Sequence, residues 1–210
     1  MRPRQRQYAL RLMKTPDKFE RWVKKNNYEH MHFTETTWSC RSSLLMEAVR
    51  RDPSGECVRT MLAVGCNVDV RCSGCSLLNM AVIRNDVTMV SKLISYGADV
   101  NLDDPLQHVH RTMDPEIVEL LLRSGARIYP LFLQRAAIDA FNCPSSEPIL
   151  RKFIGAGGTR CLPLDHDRSK HPRMWKAILK VVGGDEGIVE AEREWVAAVP
   201  GRRTKSAAKK

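Results

Sequence analysis

The amino-acid sequence predicts an all-α solenoid built from repeated helix pairs. Three observations support this prediction: a six-residue apolar pattern occurs four times, a glycine follows each copy at the same distance, and a second motif precedes the copies with a period near 33 residues. The chain has 210 residues, of which 43% are apolar and 28% charged. This composition and length indicate a globular domain with flanking segments.

The apolar pattern predicts the second helix of each pair. Each copy has two apolar residues, then mostly polar ones, then two more apolar ones, which places one apolar face on a helix. The copies begin at Cys57, Met89, Ile117 and Ile149. The glycines that follow them are Gly65, Gly97, Gly125 and Gly157. Because glycine adopts the left-handed conformation without a Cβ penalty, we expect each helix to end there.

The second motif predicts the first helix of each pair. Ser43-Leu44-Leu45-Met46-Glu47-Ala48 and Ser76-Leu77-Leu78-Asn79-Met80-Ala81 lie 33 residues apart. Asp104-Pro105-Leu106-Gln107-His108-Val109 is a shifted version, 28 residues after the second copy when Val109 is aligned with Ala81. An extended polar segment follows the glycines, as in Ala98-Asp99-Val100-Asn101. Each unit therefore contains a tight turn, a short helix, a polar loop and a longer helix.

These linked motifs resemble the ankyrin repeat, which has a period of about 33 residues and a Thr-Pro-Leu-His-x-Ala start to its first helix. The resemblance implies four to five helix-pair repeats joined by short hairpin-like loops. We divide residues 40–160 into units 40–71, 72–103, 104–128 and 129–160. No unit contains the full Thr-Pro-Leu-His sequence, and the third is short by about five residues.

Stacked repeats need capping elements at both ends because each helix pair cannot bury its apolar face alone. We assign residues 1–14 to a basic segment and 15–39 to an N-terminal capping helix and linker, with the helix over 15–27. Residues 161–199 are interpreted as a degenerate last repeat and C-terminal capping helices, over 172–182 and 185–199. We expect a disordered basic tail over 200–210.

The net charge of +10 is concentrated at the two ends of the chain. Residues 1–39 carry +5, residues 40–160 carry +1, and residues 161–210 carry +4. The first cluster is Arg2, Arg4 and Arg6, and the second is Arg202, Arg203, Lys205, Lys209 and Lys210. Two interpretations stay open: solvated, mobile termini, or a nuclear-import address that also contacts phosphates.

The sequence also limits the compartment. No apolar segment approaches the length of a membrane span, and the N-terminus lacks the apolar core of a secretory signal. The number of cysteines is seven, which is odd and without the spacing of a small secreted domain. We expect a cytoplasmic or nuclear protein that does not contact membranes and is a monomer.

Several groups of residues suggest metal or acid–base chemistry. We interpret Cys72 and Cys75 as unpaired thiols on a loop and the histidine pairs as ordinary polar surface. Cys66 and the pair Cys72 and Cys75 lack the fourth ligand of a structural zinc site. The remaining groups are the pairs His30 and His32, His108 and His110, and the triplet Asp165-His166-Asp167. No nucleophile or phosphate-binding motif accompanies them. We therefore predict no catalytic activity, no metal and no cofactor.

The resemblance to ankyrin repeats implies a binding surface on the exposed face of the first helices and on the hairpin tips. The two positions after the paired small residues of each first helix face solvent in that family. Those occupied by arginine here are Arg50, Arg51, Arg84 and Arg111. The corresponding hairpin-tip positions are Arg71, Ser73, Asp103, Asp104, Arg127 and Tyr129. Guanidinium groups suit carboxylate or phosphate recognition, so the four arginines predict a basic ladder.

We derive two functional hypotheses. In the first, the protein is a non-catalytic adaptor whose concave surface binds an acidic or extended segment of another protein. In the second, it is a nuclear or chromatin-associated regulator whose basic termini contact nucleic acid while the repeats recruit a protein. Deletion of the basic ends separates them, because only the second hypothesis needs those ends.

Overall fold

The computed structural model describes residues 3–25, 44–52, 54–72, 74–161, 171–184, 186–187 and 189–190. Contacts divide the chain into two compact units, Met1–Pro105 and Leu106–Lys210. Each unit is built from helix pairs, and the predicted all-α class is confirmed. Within the described residues the extended structure is limited to a hairpin of two two-residue strands.

The described residues of the first unit form six α-helices and the hairpin. The elements are α1 (Pro3–Leu12), α2 (Pro16–Lys25), α3 (Leu44–Arg51), α4 (Glu56–Ala63), β1 (Arg71–Cys72), β2 (Cys75–Ser76), α5 (Leu77–Ile83) and α6 (Val87–Ser95). In the hairpin, Arg71 is opposite Ser76 and Cys72 is opposite Cys75. The pairs α3–α4 and α5–α6 are the first two repeats.

The described residues of the second unit form α-helices and shorter 3-10 segments. The elements are a 3-10 turn that begins at the end of the first unit (Pro105–His108), α7 (Pro115–Arg123), α8 (Pro130–Asn142), a 3-10 turn (Pro144–Ser146), α9 (Glu147–Gly155), a 3-10 turn (Gly158–Cys161) and α10 (Pro172–Val182). Helices α8 and α9 form the fourth pair.

Short polar side chains start several of these helices. The Ser76 hydroxyl accepts from the Asn79 amide at 3.2 Å, and the Asp86 carboxylate accepts from the Met89 amide at 3.0 Å. Each satisfies one backbone donor that the first turn of a helix leaves unpaired. The local sequence therefore sets where α5 and α6 begin.

The predicted glycine stops are confirmed. The backbone φ angles are 90° at Gly65, 84° at Gly97, 90° at Gly125 and 79° at Gly157. In the first three repeats the amide after the glycine reaches back five residues, as from Ala98 to the Leu93 carbonyl at 3.1 Å. This is the hydrogen-bond pattern of a Schellman motif, which satisfies carbonyls at the helix end.

The core of the first unit lies between the two layers of helices. Leu45, Leu77 and Leu93 have no more than 1% of their surface exposed. The predicted capping helix is α2, which buries Phe19 completely and packs on α4. Helix α1 packs on α2 and α3 and buries Ala9. The sequence did not predict α1, because this helix is mostly polar and its apolar face is short.

The core of the second unit is centred on α8, which packs against both α9 and α10. Leu121, Leu133 and Phe153 are completely buried there. Ile178 of α10 is also completely buried, so the helix expected over 172–182 closes this end of the core. The expected helix over 185–199 and the tail over 200–210 lie almost entirely outside the described residues.

The third repeat differs from the prediction at its first helix. In place of an α-helix, the chain forms the 3-10 turn Pro105–His108, followed by turns up to Asp114. The physical reason is length, since the segment is about five residues too short for a full helix and its loop. Arg111 therefore lies in a turn, and the expectation that it occupies a first-helix position is wrong.

Ion pairs join consecutive repeats, and the sequence analysis missed them. Lys152 pairs with Glu119, and the Lys180 ammonium lies 3.5 Å from the Glu147 carboxylate. Both pairs are separated by 33 residues, which is the repeat period. Opposite charges recurring at this spacing are the signal that would have revealed them.

We expect Gly125→Ala to lower the free energy of unfolding by about 1–2 kcal/mol, the cost of a left-handed conformation for an L-residue. The effect is purely conformational, because a Cβ at Gly125 would meet no atom within 4 Å. Gly155→Ala is the matched control, because Gly155 lies in α9 with the same open surroundings. There the change should stabilise by about 0.5 kcal/mol. Urea unfolding followed by circular dichroism measures both, and equal effects would refute the assignment.

Candidate protein-interaction surface

Two of the predicted arginines lie on the last turn of α3 around one carboxylate. Glu47 is largely buried, and its Oε2 accepts from the Arg51 Nε at 2.7 Å. The Arg50 guanidinium lies 3.5 Å from the other Glu47 oxygen. The two arginine side chains keep 60% and 56% of their surface exposed. The cluster therefore carries a net charge of +1 and presents two guanidinium groups to solvent.

Arg84 is the residue that caps the end of α5, and its side chain is exposed. Within the part of the chain that the structure describes, it forms no ion pair. Ile83, the preceding residue, has 51% of its surface exposed. Helices α3 and α5 are neighbours in the first unit, so Arg50, Arg51 and Arg84 belong to adjacent repeats. Arg111 lies in a turn and does not occupy the equivalent first-helix position. That the other three arginines form a contact surface stays a prediction.

The hairpin-tip residues of the first unit fix the loops in place. Arg71 forms an ion pair with Asp103, whose side chain is only 7% exposed. The main chain of Asp103 has a φ of 59°, and its carbonyl accepts from the Asn79 side chain at 2.9 Å. Asp104 is half-buried, and Ser73 lies outside the described residues. Of these positions, only Arg71 offers a largely exposed side chain.

The remaining predicted positions belong to the second unit. Arg127 is exposed in the segment before α8, and Tyr129 is the N-cap residue of that helix. The Tyr129 ring is 40% exposed and packs edge-on against Phe132, with 5.3 Å between ring centroids. Arg111 is exposed, and its carbonyl accepts from the buried Ser146 hydroxyl at 3.1 Å. The residues of the basic tail, 202–210, lie outside the described part of the chain.

The structure also exposes apolar side chains that the sequence analysis did not select. On α8 they are Leu131, Ile138 and Phe141, with 67%, 42% and 37% of their surface exposed. Ile138 follows Ala136 and Ala137 as Ile83 follows a pair of small buried residues in α5. This repeat position could have predicted the exposed apolar residues, but we selected only its arginines as candidate contacts.

No group of three or more histidine, cysteine or acidic side chains in the described residues is arranged to hold a metal ion. His108 sits in a 3-10 turn where burial, aided by the positive charge of Arg135, lowers its pKa. Cys66 and Cys75 are both unpaired. Among the described residues, no helix has the length and apolar character needed to cross a membrane.

The described cysteines differ in their ionisation. Burial raises the pKa of the Cys57 thiol to about 12, with a further contribution from the Asp52 carboxylate. Burial alone raises the pKa of Cys66 to about 12. The Cys143 thiol lies 3.0 Å from the Ser145 hydroxyl, and that hydrogen bond lowers its pKa. Since the thiolate is the reactive form, Cys143 is the most nucleophilic of these three.

We therefore expect iodoacetamide at neutral pH to alkylate Cys143 well before Cys57 and Cys66 in the folded chain. Raising the pH toward 9 should accelerate Cys143 first, because the other two thiols stay protonated until higher pH. Peptide mapping by mass spectrometry measures the three rates. The urea-unfolded chain is the control, where the rates should converge. Equal rates in the folded chain would contradict the prediction.

The paired helices, the glycine stops and the hairpin are features of a helical repeat protein. Residues 45–130 match the family model of ankyrin repeats, in three copies. Over this segment the chain is similar to ankyrin repeats, which confirms the predicted resemblance and the ankyrin-type repeat fold. Neither a curated protein nor a solved structure matches the chain. Ankyrin repeats are generally protein–protein interaction modules and are typically non-catalytic.

Proposed function

We propose that the protein is a non-catalytic adaptor that binds an acidic, extended segment of another protein at the ends of α3 and α5. The observation that supports this proposal is the set of three exposed guanidinium groups of Arg50, Arg51 and Arg84. They lie on neighbouring first helices with one carboxylate among them. Guanidinium groups donate two parallel hydrogen bonds to a carboxylate, which favours an acidic partner.

The other acidic residues close to these helix ends use their carboxylates in hydrogen bonds to the backbone and not in ion pairs with the arginines. Asp52 is 3% exposed and accepts from the Cys57 amide at 2.7 Å. Asp86 accepts from the Met89 amide at the start of α6. Each carboxylate is directed to the backbone as a helix cap. Neither carboxylate therefore pairs with these arginines in the described residues.

The surface is also rigid. Leu44, Leu45 and Val49 anchor α3 in the core, and Leu78 and Val82 anchor α5. A surface that is held in place before binding loses little conformational entropy when a partner docks. The proposal includes a cytoplasmic or nuclear location, which the odd number of cysteines supports.

The test uses the full chain to select peptides from a random-peptide display library. Selected peptides should be enriched in Asp and Glu, and fluorescence anisotropy should show about tenfold weaker binding to the Arg50→Glu/Arg84→Glu variant. The matched control is Arg21→Glu/Arg59→Glu, which changes the charge equally at exposed positions of α2 and α4. Its affinity should be that of the original chain.

Two results would overturn this proposal. One is a selection without acidic enrichment, and the other is equal loss of affinity in the test and control variants. The nucleic-acid hypothesis makes the opposite prediction: duplex DNA should be retained by the full chain and lost after deletion of residues 1–7 and 201–210. A steep decrease in that retention with salt would indicate phosphate contacts.

A further inference from the structure

The turn that replaces the first helix of the third repeat leaves a notch beside α8. The notch is small and partly open to solvent. Its lining includes Leu106, His110, Arg111, Arg135, Asp139 and Ile149. All of these residues belong to the second unit. The sequence analysis grouped Arg111 with the first-helix arginines, but the structure associates it with this notch.

The floor of the notch is apolar and its rim is polar. Leu106 and Ile149 expose 1% and 3% of their surface, and Ala136 exposes 6%. Arg111 and His110 are exposed, and they lie beside this apolar floor. A hydrogen bond or ion pair made next to apolar surface is less weakened by water than one on open surface.

Hydrogen bonds fix the Arg135 guanidinium. Its Nη2 donates to the Gln107 carbonyl at 2.5 Å and to the Val109 carbonyl. These are the carbonyls that the short 3-10 turn leaves without a helical donor. Among the described residues, no carboxylate pairs with Arg135. The guanidinium therefore keeps its charge and part of its hydrogen-bonding capacity for a ligand.

The loop that carries Arg111 is also held in place. Buried Val109 and Met113 anchor it on both sides, and the Ser146 hydroxyl donates to the Arg111 carbonyl. The His110 Nδ1 lies 3.0 Å from the Thr112 hydroxyl, which orients the imidazole. A basic side chain on a fixed loop can act as a specific contact with little ordering cost.

The charges in the notch favour an anion. Arg111 and Arg135 contribute two positive charges, and Asp139 on α8 contributes one negative charge. These three charges sum to +1, and the two guanidinium groups have donors but no acceptors. The ligand group that this arrangement accommodates is a carboxylate.

The exposed face of α8 indicates which residues surround that carboxylate. Leu131, Arg135 and Ile138 are spaced by four and three residues, so they lie on one face of the helix. Leu131 and Ile138 are both exposed, one turn to either side of Arg135. If a peptide places an acidic residue at the notch, the residues next to it in that peptide lie beside Leu131 and Ile138. Apolar residues fit those positions.

We infer that the notch binds an Asp or Glu side chain of a partner peptide, with apolar residues of that peptide packed on Leu131 and Ile138. This inference rests on the proposed function, because it identifies a second contact for an acidic partner segment. The Arg111 guanidinium binds the carboxylate, and Arg135 holds the 3-10 turn and adds positive charge.

The experiment takes the acidic peptides selected on the full chain and measures their affinity for single variants by fluorescence anisotropy. Arg111→Gln should weaken binding about tenfold, and Arg111→Lys should weaken it less because it keeps the charge but loses the fork. The matched control is Arg123→Gln, at an exposed arginine on α7. It should bind as the original chain does. Ile138→Ser should also weaken peptides that carry apolar residues beside the acidic one.

Each result distinguishes the notch from the proposed function. Weaker binding to Arg111→Gln, with the control unchanged, supports the notch. Peptides that lose affinity for Arg50→Glu/Arg84→Glu but not for Arg111→Gln would overturn the notch and leave the proposed function intact. Peptides affected only by Arg111→Gln would support the notch and overturn the surface on α3 and α5. A selection without acidic enrichment would overturn both.

Discussion

Phe153→Ala is expected to lower the free energy of unfolding by about 3–5 kcal/mol, the largest effect of any substitution considered for stability. Phe153 lies on α9 and is completely buried. Removing the ring loses the free energy of transferring it from water and leaves a cavity that the surrounding helices fill only in part. Urea unfolding at equilibrium, followed by circular dichroism, measures the change.

The matched control is Phe141→Ala, which removes the same side chain from a partly exposed position on α8. The Phe141 ring is 37% exposed, and the Lys176 ammonium lies 5.9 Å from its centroid. Its loss should cost about 1 kcal/mol, chiefly the cation–π interaction and partial burial. If both variants lost the same stability, the core assigned to the second unit would be wrong.

Asp52→Ala is expected to lower the free energy of unfolding by about 1–3 kcal/mol. The Asp52 carboxylate accepts from the Cys57 amide at 2.7 Å and from the Ser54 amide at 3.0 Å. It is 3% exposed, so its removal leaves the buried Cys57 amide without that acceptor. This single side chain organises the loop that joins α3 to α4.

Asp52→Asn is the conservative comparison, because it retains one acceptor oxygen of similar geometry. We expect it to recover part of the loss, and urea unfolding measures both variants under the same conditions. An Asp52→Ala variant as stable as the original chain would show that the carboxylate does not determine this loop.

The local elements could be predicted because they depend on neighbouring residues. A glycine in the left-handed conformation ends the helix that precedes it, as at Gly97 and Gly125. The capping positions of Ser76 and Asp114 likewise follow from side chains within three residues of the backbone they satisfy. The repeat pattern therefore predicted the all-α helix pairs that the structure contains.

The candidate site was predicted only in part. Exposure of Arg50, Arg51 and Arg84 followed from their place in the repeat. The pairing of the first two with Glu47 depends on how far that largely buried carboxylate reaches along α3. Asp103 was predicted as a hairpin-tip contact, yet it is largely buried beside Arg71. Exposure of a loop residue depends on what the adjacent repeat places next to it, which a single motif does not contain.

By itself, the sequence determined the all-α class, the order of helix pairs and the residues at which most helices stop. Tertiary structure alone decided how the shortened third repeat is accommodated. There the missing helix becomes a 3-10 turn, Arg135 satisfies the exposed carbonyls, and Arg111 is moved to the rim of a notch. The physical reason is the sequence separation of the interacting groups. Helix caps join groups a few residues apart, whereas the Gln107 carbonyl accepts from Arg135, which is 28 residues away.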